Sequence, residues 1–346
     1  MAQGFRWRSW RVEGYPSHTF TCLEILNDQG MGEVVTVYRD SVDYRMDRQA
    51  RNAVILNQRG TRTATLSTTH VALIEAWDDS LSTWCGGGFL DFIQSSVAKK
   101  RMASGEAADF GGRPEWNAER IFTTEMRAFC IYPFGDPLGK ASWSNEIPVV
   151  PILEYTEPHP LGRAEWMRVF GWIAGDGSFQ KSTQVFEEIS NRYYDIRKGA
   201  PSESLRVFAG SVEQGVWHAP SGDSFVAQLL RDAGAEYILE AESGQENIEL
   251  SLEQMIVKSK EADAWGLVLS FPQGRKLDMQ AFLDLNPMNQ HVLPPSRRVF
   301  VANTQTCDYF GWWVAHPDML LENLLHLLQG KRWEGACETC FKWLET

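Results

Sequence analysis

The residues able to do chemistry are few and scattered. His70, His159, His218 and His316 stand singly in the chain, without the HExxH spacing that sets two imidazoles on one helix face. Three of them, His70, His218 and His316, could converge on a zinc or manganese ion from separate loops. Gly222-Asp223-Ser224 is not the GxSxG elbow of a serine hydrolase. Gly86-Gly87-Gly88 reads as a loop, and it has neither the GxGxxG nor the GxxxxGK[ST] arrangement that cradles phosphate. Glu187 and Glu188 are adjacent, so they face different sides of a helix and read as solvated charges rather than an acid–base pair. Of the cysteines Cys22, Cys85, Cys130, Cys307, Cys337 and Cys340, only the last two form a CxxC. One CxxC supplies at most half of a tetrahedral zinc site, so these are read as unligated or mutually paired tail cysteines. Nothing here assembles a catalytic site. The chain is expected not to be an enzyme, and no resident metal or cofactor is assigned.

Aromatic side chains stand out instead. There are 14 Trp, some of which must serve the core. Trp84, Trp217 and the pair Trp312–Trp313 sit in stretches rich in Gly, Pro and His. Loop aromatics commonly line a pocket for a bulky, partly apolar ligand; the alternative is that they pack under loops.

At 346 residues the chain is long enough for two α/β lobes. Its formal net charge of −12 disfavours nucleic acid, whose affinity comes from Lys and Arg. No apolar run approaches the roughly 20 residues needed to span a bilayer. Residues 1–14 lack the apolar core of a signal peptide. The chain is thus either cytosolic or a mature domain whose export segment has been removed.

The elements fall into an ordered pattern. Residues 1–62 alternate polar and apolar side chains and predict a β-rich segment with hairpins. Residues 63–176 predict a first lobe: a strand at 63–67, a helix from Val71 capped by Thr68 or Thr69, helices at 89–102 and 115–124, and strands at 128–132 and 147–155. The prolines of the last strand favour a sheet edge. Residues 177–199 form a run with few breakers, with Phe179, Val185, Phe186, Ile189, Tyr193 and Ile196 near helical periodicity; they predict one long linking helix. Residues 200–330 predict a second lobe of strands alternating with helices, the pattern of parallel sheets. Residues 331–346 are read as a tail.

Several ordered segments resemble a known family. LSTTHVALIEAW (66–77), ADFGGRPEWNAERI (108–121), MRAFCIYPFG (126–135) and PILEYTEPHPLGRAEWMRVFG (151–171) are similar to the first lobe of helical-backbone (class III, TroA-like) substrate-binding proteins of ABC importers. VWHAPSGDSFVAQLLRDAGAEYI (216–238), SLEQMIVKSKEADAW (251–265) and NTQTCDYFGWWVAHPDMLLENLLHLL (303–328) resemble the second. The resemblance implies two Rossmann-like lobes joined by one long helix, and a monomeric receptor, periplasmic or lipid-anchored. It would capture an iron complex (siderophore or haem) or cobalamin between its lobes for a permease and its ATPase subunits. Residues 1–62 and the stretch after 330 depart from that pattern, and a lipobox cysteine is absent. A metal-ion receptor of the same fold is the second reading; an α/β enzyme of this architecture lacks the cluster-ligating cysteines expected of it.

Ligand positions follow from loops leaving the carboxyl ends of parallel strands. In the first lobe these are Thr69, His70, Trp84, Tyr132, Glu154, Tyr155 and Arg163. In the second they are Trp217, His218, Ser221, Gly222, Asp223, Gln305, Tyr309, Phe310 and Trp312. Arg163 could hold a carboxylate or siderophore oxygen, or pair with Glu154 or Glu157; Gly222 could let the backbone approach a ligand. The resemblance also carries over two permease-docking glutamates, Glu119 and Glu253; the alternative is that they are first-turn helix residues favoured by the dipole.

Overall fold

The computed structural model describes residues 1–12, 19–26, 34–49, 52–58, 60–112, 115–133, 147–201, 204–244, 247–335 and 339–345. It divides into two compact units: Met1–Glu157 with Leu161–Glu187, and Pro158–Pro160 with Glu188–Thr346.

The first unit opens with a four-stranded sheet, β1 (Phe5–Trp10), β2 (Phe20–Leu26), β3 (Val34–Tyr38) and β4 (Ala53–Ile55), in that order, with helix α1 (Ser41–Met46) between β3 and β4. The sequence of β1, FRWRSW, alternates by the period of a strand. Its apolar face turns Phe5 to Trp166 (5.0 Å between ring centroids) and Trp7 to Trp172 and Phe179 (5.4 and 5.1 Å). On the other face Arg6 and Arg8 each donate to Glu24 at 2.6 Å, and Arg8 also pairs with Asp47, which accepts the Tyr38 hydroxyl at 2.6 Å. Burial alone would raise these two carboxylates. The guanidinium hydrogen bonds outweigh it and hold Glu24 and Asp47 below the usual carboxylate range.

A five-stranded parallel sheet follows, built from β5 (Thr63–Thr65), β6 (Trp84–Gly87), β7 (Ala108–Asp109), β10 (Ala128–Ile131) and β11 (Val149–Pro151) in the order β11-β10-β5-β6-β7. A short antiparallel pair, β8 (Gly111–Gly112) and β9 (Glu115–Trp116), lies between β7 and β10 in sequence. The helices of this unit are α2 (Thr68–Glu75), α3 (Ser96–Ala103), α4 (Ala118–Thr123), α5 (Pro160–Glu165) and α6 (Met167–Ala174). Buried Asp78 closes the turn from α2 to β6: it accepts the Thr83 amide and hydroxyl at 2.7 Å each, and the hydroxyls of Ser80 and Ser82.

Several local expectations give way to tertiary geometry. Gly86 and Gly87 are strand, not loop. Gly86 has φ +135°, and a Cβ there would stand 2.1 Å from the Ala108 carbonyl oxygen; at Gly87 it would stand 2.1 Å from that of Thr65. Only glycine allows the neighbouring strands that close. Ser67, not Thr68 or Thr69, caps α2, its hydroxyl accepting the Thr69 amide at 3.2 Å. The helix expected at 89–102 splits into a turn at Leu90–Phe92 and α3, because the backbone goes extended at Ile93 and restarts only at the Ser95 cap. The helix expected at 115–124 begins only at Ala118, and the strand expected at 147–155 ends at Pro151, after which Glu154–Thr156 form a helical turn.

Helix α7 (Asp176–Arg197, 22 residues) carries the chain from one unit to the other, and the division falls at exposed Glu187 and Glu188. At 1.5 Å per residue it is about 33 Å long. Ser182, Phe186, Ile189 and Tyr193 are its buried stripe, spaced four, three and four residues apart. In the first unit α6 approaches so closely at Gly171 that a Cβ would lie 2.0 Å from the Ser182 hydroxyl oxygen.

The second unit has a sheet of β12 (Arg206–Ala209), β15 (Glu236–Tyr237), β17 (Ala264–Leu269), β18 (Val299–Asn303) and β19 (Phe341–Trp343), ordered β15-β12-β17-β18-β19. All are parallel except β19. An antiparallel sheet of β13 (Ser211–Glu213), β14 (Val216–Pro220) and β16 (Asn247–Ser251) stands beside it in the chain. The unit's helices are α8 (Phe225–Asp232), α9 (Leu252–Lys258), α10 (Met279–Leu285), α11 (Asn289–Val292), α12 (Trp312–Ala315) and α13 (Pro317–Leu328). The last residues are therefore not a tail outside the lobe: β19 forms a sheet edge. Cys340 is bonded to Cys307, not to Cys337, which lies outside the described residues. The expected two-lobe α/β architecture stands, with these corrections.

Asp232 fixes the second half of α7 to this unit. It is 1% exposed and accepts the Tyr193 hydroxyl at 2.7 Å, Gln228 at 2.9 Å and Arg197 at 2.9 Å. Burial, with the Asp232 charge beside it, pushes the Tyr193 phenol well above its ordinary range. Asp232→Ala orphans a buried hydroxyl, and urea denaturation should show a loss of about 3 kcal/mol or more, against about 1 kcal/mol for Tyr193→Phe. Burial opposes the charge on Asp78, but the hydrogen bonds of Thr83, Ser80 and Ser82 prevail and lower its pKa. A carboxylate with a depressed folded pKa contributes stability that is present above its unfolded value, ~3.9, and lost as pH falls through the folded one. Asp78→Asn should therefore destabilise at pH 7 and lose less on acidification than the wild type, as followed by urea midpoints between pH 7 and 3.

Candidate functional site

Loops leaving the carboxyl ends of the parallel strands are the places where an α/β unit presents groups to a ligand. In the first unit these loops begin at Leu66, Gly88, Phe110, Tyr132 and Ile152. Phe89 adopts φ 57°, ψ 33°, a costly conformation for a bulky residue, on the order of 1–3 kcal/mol. Its amide donates to the Gly111 carbonyl at 2.9 Å, its ring lies edge-to-face with Trp116 at 5.4 Å, and a Cβ on Gly112 would touch that ring at 2.8 Å. Three residues on, Phe92 is 73% exposed. Trp116 and Tyr132 pack half-buried against the core around Leu66, Phe110 and Phe129. Thr69, Tyr132 and Tyr155 are half-buried at this edge. Arg163 is committed locally, donating to the carbonyls of Tyr155 (2.9 Å) and Glu157 (3.2 Å).

Three expected ligand residues of this unit belong to its core. Trp84 is fully buried on β6, its indole N–H donating to the Thr65 hydroxyl at 3.1 Å. His70 is fully buried, with Nε2 3.4 Å from the Glu154 carboxylate and its ring 5.5 Å from Phe170; Glu154 is 4% exposed. Side chains sealed in this way cannot reach a ligand without repacking.

The second unit contains a cavity of about 320 Å³. Apolar side chains of α8, β18, α13 and β19 line it (Leu229, Leu230, Phe300, Leu324, Phe341), together with Ser211, His218, Asn247 and Tyr309. His218 is half-buried on β14, its Nδ1 3.8 Å from Glu249. The segment after β18 carries Gln305, Tyr309 and Phe310, and leads into Trp312. Phe310 is 56% exposed, while Tyr309 is buried with its ring perpendicular to that of Phe310 at 5.2 Å. Trp312 stacks on His316 at 4.2 Å and 16°. Burial pushes His316 below its ordinary range despite the Trp312 carbonyl and Asp318. The ring is thus neutral at pH 7, which suits stacking. Exposed Gln305 bonds Ser270 at 3.0 Å, and exposed Asp223 accepts the Gly244 amide at 3.3 Å.

Here too some expectations fall. Trp217 lies on a strand, fully buried against Phe208 and Trp265. Ser221 is fully buried and donates to the Gly244 carbonyl. Gly222 is needed for the protein itself: a Cβ there would stand 1.9 Å from the Glu240 carbonyl oxygen. Phe89, Phe92 and Trp116 were missed; the glycine triplet just before Phe89 was their only signal, and helical periodicity masked it.

Glu119 and Glu253 are both exposed in first helical turns, of α4 capped by Asn117 and of α9 capped by a Ser251/Gln254 box. Among the described residues no group of three His, Cys, Asp or Glu could hold a metal ion, and no helix is long and apolar enough to cross a membrane.

No family model matches the sequence. The chain is 25% identical over 226 residues to an uncharacterized lipoprotein of Methanocaldococcus jannaschii, covering 62% of this chain and 53% of that protein, so the match spans about half of the relative's length. Among solved structures, a periplasmic binding protein from Veillonella parvula is similar with TM-score 0.60 and 12% identity over 94% of this chain and 99% of its own. The periplasmic heme-binding protein HutB of Vibrio cholerae gives 0.59 and 14% over 77% and 98%. The triscatecholate siderophore-binding protein FeuA of Bacillus subtilis, complexed with ferri-bacillibactin, gives 0.57 and 13% over 80% and 95%. At these identities the likeness is one of fold: the chain has the two-unit α/β fold of these periplasmic binding proteins, the fold that its sequence resemblance implied.

The division between core and presented aromatics is measurable. Trp84→Ala and Trp217→Ala should each cost about 3–5 kcal/mol, whereas Phe92→Ala and Phe310→Ala should change stability by about 0.5 kcal/mol or less, read from urea midpoints.

Proposed function

We propose that this chain is a non-enzymatic receptor of an ABC importer, which captures a bulky metal complex (a ferric siderophore, haem or cobalamin) and delivers it to a permease. The observation that carries this reading is the plan of two parallel-sheet units joined through one 22-residue helix, each with exposed aromatic side chains near the ligand edge of its sheet. Structures of the same plan include proteins described as binding heme, vitamin B12 and a ferric siderophore. Phe92 in the first unit and Phe310 in the second are the side chains most available to an apolar ligand face, and half-buried Tyr132, Tyr155 and Trp312 are further candidates in loops after the parallel strands.

The receptor acts outside the cytoplasmic membrane in this reading. The Cys307–Cys340 disulfide supports that placement, since such bonds persist in oxidising compartments, and the archaeal relative is described as a lipoprotein. Glu119 and Glu253, each exposed at a helix start, serve as docking charges for a basic permease surface. Rim charges of this kind set orientation and association rate more than affinity. The metal-ion reading draws no support from the histidines, since His70 is sealed against Glu154 and His316 is stacked on Trp312.

Absorbance titration and equilibrium dialysis against haemin, cyanocobalamin, ferric enterobactin and ferric desferrioxamine test the proposal. One of them should bind at one equivalent per chain, and Phe310→Ala should weaken it by about tenfold or more, as for a buried aromatic contact. Binding of none of the four rejects the reading.

A further inference from the structure

Resting on the receptor reading, we propose that the Cys307–Cys340 disulfide is a positioning device that holds the segment 304–311 so that Phe310 is presented to the ligand. The segment leaves the carboxyl end of β18 without regular structure. Within itself it is held by the Thr306 and Cys307 amides donating to the Asn303 carbonyl (2.9 Å each), and by Asp308 accepting the Trp312 amide at 2.9 Å. The Thr304 amide and Gln305 side chain tie its start to Leu269 and Ser270 (2.8 and 3.0 Å), and the disulfide and the Tyr309–Phe341 ring contact at 6.1 Å tie its later part to the chain of the neighbouring edge strand β19.

The far anchor is itself rigid. Asn323 of α13 is 1% exposed; its side-chain carbonyl accepts the amides of Cys340 (3.2 Å) and Phe341 (2.9 Å), and its amide donates to the Thr339 hydroxyl at 2.7 Å. Cys340 is thus fixed by a buried polar cradle, and through it Cys307, three residues before Phe310. The arrangement separates roles: Tyr309 and Phe341 turn inward and wall the cavity, while Phe310 remains 56% exposed. Fixing the backbone that carries Phe310 before binding removes an ordering cost that would otherwise be met at binding, which is the thermodynamic content of preorganisation.

The test uses the Cys307→Ser/Cys340→Ser variant with and without Phe310→Ala, and the native protein reduced with tris(2-carboxyethyl)phosphine in case the double variant does not fold. Hydrogen exchange should accelerate at amides 304–312 beyond any change in β12 and β17. Affinity for whichever probe binds the wild type, among haemin, cyanocobalamin, ferric enterobactin and ferric desferrioxamine, should fall roughly tenfold. Phe310→Ala should cost a smaller factor without the disulfide than with it. A purely structural crosslink would leave the Phe310 factor the same in both backgrounds, and that result, or unaltered exchange at 304–312, overturns the proposal. If no probe binds the wild type, the receptor reading falls, and the exchange measurement alone decides whether the disulfide positions the segment.

Discussion

The constraint on which the rest depends is that one helix must belong to two cores. Helix α7 buries Ser182 and Phe186 in the first unit and Ile189 and Tyr193 in the second, with Glu187 and Glu188 in solvent between them. A helix shared in this way has to be anchored separately to each core, and specific contacts do so on either side of the exposed pair. Gly171 lets α6 approach Ser182, and Asp232 gathers Tyr193 and Arg197. A buried carboxylate with several donors is costly to desolvate and costlier to leave unpaired, so this anchor tolerates little substitution.

With the helix held at each end, each unit can leave its strand edge open for recognition. The first unit does so at a local cost. Glycines 86 and 87 let three strands pack with their backbones nearly touching, and the chain emerging from β6 turns through Phe89 in a left-handed conformation. The second unit does so by covalent means, with the segment after β18 crosslinked to Cys340, the residue just before the edge strand β19. In both, an exposed phenylalanine follows a constrained neighbour. Fixed surroundings reduce the entropy that a bulky ligand would otherwise have to pay to order the loop.

Much of the candidate site was misread for one reason. Trp84, Trp217, His70 and Ser221 lie beside glycines or hydroxyl residues in sequence, which is the local signature of a loop. All four are sealed by strands or helices that lie far away in the chain. Trp84 is covered because β6 is an interior strand, and β6 is interior only because Gly86 and Gly87 permit close neighbours on both sides. Exposure is a property of the assembled sheet, whereas residue type is local. The reverse error hid Phe92: it sits in an apolar run that fits a helix, but the structure allows only one turn there before Ile93 goes extended.

What the sequence by itself determined was the order and type of the main elements: the long breaker-poor helix, expected at 177–199 and found at Asp176–Arg197, and the strand–helix alternation after it. Those features rest on hydrophobic period and on the placing of helix breakers, which act over a few residues. Only the tertiary structure decided which aromatics face solvent, that Cys340 pairs with Cys307 across 33 residues, and that the last residues close the sheet as β19. Each of these depends on which distant backbone lies alongside, and that is set by the packing of the whole unit.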